Sequence, residues 1–75
     1  MLDRITFDPE ILGGRACIRG MRLSAAQVVK LVASGMTSEE ILSAYPYLEA
    51  EDIQQALEYA AEAVSEEIRP LPVHS

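Results

Sequence analysis

Three arginines fall within eight residues of this chain, in the stretch GGRACIRGMRLS, Gly13 to Ser24. A guanidinium is a planar fork of donors that grips a carboxylate or a phosphate at two points. Arg15, Arg19 and Arg22 therefore suit one of two chemistries. Either they touch nucleic-acid phosphates from a β-ribbon, with Lys30 as a fourth cation, or they clamp carboxylates within the fold or across a dimer. Internal pairing is the more economical reading, because acids are plentiful later in the chain. A phosphate cradle at Gly13-Gly14 finds little support: neither G-x-G-x-x-G nor G-x-x-x-x-G-K-[ST] is present.

Other reactive side chains are sparse. Cys17 is the only cysteine and sits in an apolar run, so a buried structural thiol is expected. His74 is the only histidine and follows Pro72 near the end of the sequence. One Cys and one His cannot make a metal cluster, and no Ser or Cys has an evident His partner. The sequence thus offers no catalytic, cofactor-binding or metal-binding residues, and no enzyme is expected.

The acids are patterned. Glu58, Glu62 and Glu66 recur every four residues, a spacing at which like charges weaken a helix. They form either a solvated face or a ridge that a basic partner covers. Residues 1–30 hold five cations against three acids, while residues 31–75 hold one cation against nine acids, giving −6 in all. That balance opposes non-specific duplex binding, though a local basic patch remains compatible with it.

These groups must be positioned by a small scaffold. Seventy-five residues, 49% of them apolar, read as one domain over 1–75. Such a chain buries only about 60% of its unfolded surface, so a second copy is an expected source of extra stability. The start MLDRIT is no signal peptide and no run is long enough to span a membrane, so a cytoplasmic protein is expected.

The elements follow from local grammar. RITF alternates as a short strand, Asp8-Pro9 opens a turn, and ACI and MRL flank Arg19-Gly20 as a tight hairpin. Residues 4–23 are therefore expected to form a β-hairpin unit. Ser24 with Gln27, and Thr37 with Glu40, are capping boxes that start helices over 24–34 and 38–45. Gly35 suits the position past the first helix, and Pro46 ends the second. A third helix over 50–68 carries the stripe Ile53, Leu57, Ala60, Val64 and Ile68, and 70–75 is a tail. Ala56, Ala60 and Ala63 form a small-residue stripe that would let another helix approach, which makes them dimer-interface candidates. The predicted fold class is mainly α with a small N-terminal β-hairpin: a three-helix, homeodomain-like and helix-turn-helix-like domain.

The last two helices raise the question of DNA reading. The first exposed residues of the third helix are expected to be Glu49, Glu51, Asp52, Gln54 and Gln55. Only the glutamines suit base edges, and the acids repel phosphate. A plain trihelical core is the better reading.

In order along the chain, DPEILGGR, CIRGMRL, the Gly35–Ile41 segment of the form Gly-x-[ST]-x-x-[EQ]-I, and YPYL followed by Glu51-Asp52-Ile53 closely resemble domain of unknown function family 433. The resemblance covers residues 4–61. The family usually has proline where Ala16 stands and threonine where Met21 stands. The resemblance implies a homeodomain-like trihelical fold in prokaryotes, encoded beside a PIN-like nuclease and similar to the antitoxin half of a toxin–antitoxin pair. The expected function is then neutralisation of a PIN-like RNase toxin by a non-catalytic, homodimeric protein. Glu58, Glu62 and Glu66 would be its partner-binding residues. The alternatives are an autorepressor that binds operator DNA through the basic hairpin, and a purely structural homodimer module.

Overall fold

The computed structural model describes residues 2–65. The chain opens with strand β1 (Ile5–Phe7), passes through a single 3-10 turn (Leu12–Gly14), and returns as strand β2 (Ala16–Ile18). Three helices follow: α1 (Ala25–Ala33), α2 (Ser38–Ala44) and α3 (Ala50–Ser65). The fold class is the expected one, mainly α with a small N-terminal hairpin. The predicted end of the third helix at residues 66–68 and the tail at 70–75 lie outside the described residues, as does His74.

The hairpin is made differently from the sequence expectation. β1 and β2 pair antiparallel, with Ile5 opposite Ile18, Thr6 opposite Cys17 and Phe7 opposite Ala16. The expected ACI–MRL hairpin survives only as a turn and one bridge. Met21 N–H donates to the Ile18 carbonyl at 2.8 Å, closing the turn over Arg19 and Gly20. Both central residues have positive φ (45° and 72°), the backbone that a tight hairpin turn requires. The chain then bridges Cys17 to Ser24, so Met21 and Arg22 bulge out of the register and MRL never becomes a strand.

The helix boundaries obey their caps. Ser24 Oγ accepts from Gln27 N–H at 3.0 Å, although Gln27 returns no bond. Thr37 and Glu40 complete the reciprocal box at 2.8 and 3.1 Å. At the end of α1, Met36 N–H donates to Leu31 and Gly35 N–H to Val32, with Gly35 at φ 99°. This is the paired closure in which glycine satisfies the last helix carbonyls.

The core lies where the hairpin meets all three helices: Ile5, Ile18, Leu23, Val28, Ile41, Leu48, Ile53 and Ala56 are its centre. Cys17 is buried beside them, as expected. Ile5 and Phe7 share one side of β1, yet only Ile5 reaches the core. Phe7 is 60% exposed and its ring tilts against Tyr59 of α3 at 5.9 Å. The α3 stripe likewise leaves the core toward its end, with Ile53 buried, Leu57 and Ala60 half-buried, and Val64 exposed.

Candidate functional site

The most organised polar feature is a junction where the hairpin is pinned to the start of α3. Asp52 is fully buried there. Arg19 presents its guanidinium edge-on: Nε donates to one Asp52 oxygen at 2.9 Å and a terminal nitrogen to the other at 2.8 Å. The same terminal nitrogen donates to the Tyr47 carbonyl at 2.8 Å. Arg4 reaches Asp52 from the other side at 3.0 Å and also pairs with Glu49. Glu49 N–H donates to Asp52 at 2.8 Å. Asp52 thus supplies from inside the first turn the cap that Glu49 cannot, because Glu49 has no short side chain to bond forward.

Burial alone would raise the Asp52 pKa. Hydrogen bonds from Arg19, the Glu49 backbone and Arg4 outweigh that and hold the carboxyl down at about 2. The same contacts raise both arginine pKa values, for Arg4 chiefly through Glu49 and then Asp52, and for Arg19 chiefly through Asp52. Gln55, also buried, extends the seam: its Oε1 accepts from Arg4 N–H at 2.8 Å, and its amide donates to Asp3 at 2.7 Å. That bond lowers the Asp3 pKa. Every buried side-chain polar atom among the described residues is satisfied.

Two sequence expectations are corrected here. Asp52 and Gln55 were expected among the exposed residues of the third helix, but both are buried under the hairpin. Arg19, one of the four cations offered as phosphate contacts, is committed to Asp52 and Tyr47. Arg15, Arg22 and Lys30 are exposed and form no ion pair among the described residues. Sequence reasoning gave Arg4 no role. No local signal marks it, because Arg4 lies 45 residues before Glu49 and 48 before Asp52 and meets them only through the fold.

The remaining candidates separate around α3. Glu58 and Glu62 are exposed, as a solvated ridge requires, while Glu66 lies outside the described residues. Ala56 is fully buried in the core, which removes it from any interface. Ala60 is half-buried and Ala63 exposed, and both line an apolar groove against α1. At 3.6 residues per turn, Glu58 and Glu62 each lie about 160° around the helix from Ala60. The ridge and the groove therefore occupy opposite sides of one helix.

Among the described residues, no three His, Cys, Asp or Glu side chains converge as a metal site, and no helix is long and apolar enough to cross a membrane.

Comparison with known proteins places this architecture. Residues 5–60 match the family described as Protein of unknown function (DUF433). The chain is 43% identical over 56 residues to the uncharacterized protein y4eO of Sinorhizobium fredii, a match that spans 75% of this chain and 25% of that protein. It superimposes, with a TM-score of 0.73 and 34% identity, on the crystal structure of a DUF433 member from Anabaena variabilis, covering 85% of this chain and 62% of that one. The family match spans the hairpin, all of α1 and α2, and most of α3, including the Arg19–Asp52 junction: the chain belongs to the DUF433 family.

Proposed function

We propose that this protein is the non-catalytic, antitoxin-like member of a toxin–antitoxin pair, and that it binds and neutralises a PIN-like RNase. One observation carries the reading beyond family resemblance: the outer face of α3 presents Glu58 and Glu62 to solvent with no cation paired to either among the described residues. An RNase must hold RNA phosphates with positive charge. An acidic ridge competes for those charges, and complementary charge speeds encounter. The test is co-expression with the product of the adjacent reading frame, followed by association kinetics for Glu58→Lys, Glu62→Lys and Glu66→Lys combined. Capture slowed at least about tenfold is expected. Unchanged kinetics would sink the reading.

A second reading, an operator-binding autorepressor, draws on the exposure of Arg15, Arg22 and Lys30. Arg19 does not join them, and the start of α3 is roofed by the hairpin, with Glu49 and Glu51 exposed beside it. Promoter binding would then run through the hairpin surface and fall steeply with salt. A gel shift at low salt that Arg15→Ala with Arg22→Ala removes would support this reading; no shift at low salt counts against it.

A further inference from the structure

The groove between α1 and α3 has a volume of about 430 Å³. Ala25 and Val29 line it from α1, and Tyr59, Ala60, Ala63 and Val64 from α3; among the described residues Lys30 is the one charged residue that lines it. We propose that this groove seats one amphipathic helix of the partner protein, whose apolar ridge enters between α1 and α3 and whose carboxylate meets Lys30. The proposal rests on the reading of this chain as one that captures a protein, and it names where the partner is held.

Three observations select that occupant. Small side chains on both walls let a helix backbone approach closely, as ridge-into-groove packing requires. A small-molecule site needs several converging polar groups to fix its ligand, and among the described residues only Lys30 and Tyr59 bring polar side-chain groups to this one. Lys30 has no acid paired to it among the described residues, and the Glu58 and Glu62 carboxylates sit on the far side of α3. A partner carboxylate would supply the matching charge.

A second copy docking by the same face would set Lys30 near Lys30, between molecules that each carry −6. A partner helix has no such conflict. Together with the acidic ridge, it would hold α3 from both sides: electrostatically on the outer face, by apolar packing on the inner one.

The test uses the full chain, labelled with nitrogen-15, and two synthetic helical peptides of about four turns. Both carry leucines at i, i+3, i+4 and i+7; they differ only in Glu or Lys at one flanking position. The Glu peptide is expected to shift the amide signals of Val29, Lys30, Ala60 and Ala63, and to bind about tenfold more tightly than the Lys peptide. Lys30→Glu is expected to reverse that order, and Ala63→Glu, at an exposed position, to abolish binding while leaving the circular dichroism spectrum intact. Equal affinity for the two peptides overturns the proposal, as does the absence of shifts at the groove. So do nuclear Overhauser contacts, in the free protein, from the groove methyls to a second copy or to the chain's own last residues. The two readings fail separately. RNase capture that survives Ala63→Glu removes the groove alone. Loss of RNase capture in every form, with Glu-peptide binding retained, removes the RNase alone.

Discussion

Arg19 and Asp52 meet fork to fork, with two nitrogens on two oxygens at 2.9 and 2.8 Å, although they are 33 residues apart in sequence. The pair fastens the turn of the hairpin to the first turn of α3. Arg4 fastens the start of β1 to the same carboxylate. One buried acid therefore ties three segments of a chain whose apolar core is small.

Asp52→Ala should cost about 3 kcal/mol, because it removes both carboxylate bonds of Arg19, one of the two acid partners of Arg4 and the acceptor of the Glu49 N–H together. The figure is set at the low end of the range for broken buried pairs, since both arginines keep some access to water. Urea denaturation measures it directly. A loss under about 1 kcal/mol would mean that the arginines find other acceptors. Replacing Arg4, Arg19 and Asp52 together with apolar residues should cost less than Asp52→Ala alone, because no buried charge is then left without a partner; Glu49, which loses Arg4, is exposed.

Acid should weaken the fold in a defined window. Asp52 has a lower pKa in the native state, about 2 against an ordinary 3.8, so folding favours its charged form. The stabilisation is complete above about pH 4 and is lost as pH falls through about 2, amounting to about 2 kcal/mol. Asp3, lowered by its bond from Gln55, acts in the same direction. Stability measured at several acidic pH values should show this slope. Asp52→Asn should flatten it, and a slope that persists unchanged in that variant would assign it to other carboxylates.

The helix caps should rank by their bonding. Thr37→Ala breaks a reciprocal box and should cost about 1 kcal/mol. Gln27→Ala should be close to neutral, because the Gln27 side chain returns nothing to Ser24. Thermal melts of the two variants check the contrast. Equal losses would show that Gln27 completes its box in solution.

The legible parts of this fold are the local ones. Ser24, Thr37, Gly35 and Pro46 act on backbone within a turn of themselves, so their residue types alone place the ends of α1 and α2. The strand RITF could also be read, but its partner could not. Tight-turn chemistry at Arg19-Gly20 pointed to MRL, whereas burial of Ile5 and Ile18 made ACI pair with ITF. The Asp52 junction was legible only as a class: internal arginine–carboxylate pairing was the favoured chemistry, without its partners. Nothing in the spacing distinguishes Asp52 from Glu49 or Glu51. The choice is made by geometry, since Asp52 is the acid that α3 turns toward the hairpin. The acidic ridge was visible as a period of four, and Ala56 was misplaced because it shares its stripe with Ala60 and Ala63 but sits deeper in the fold.

Cys17 sits at the centre of β2, paired with Thr6 on one side and bridged to Ser24 on the other, with 1% of its surface accessible. A thiol so enclosed is alkylated only while the strands around it are open. The protein thus carries its own clock. The rate at which Cys17 accepts a thiol reagent counts how often the hairpin opens, whether it lifts away alone or with the whole fold.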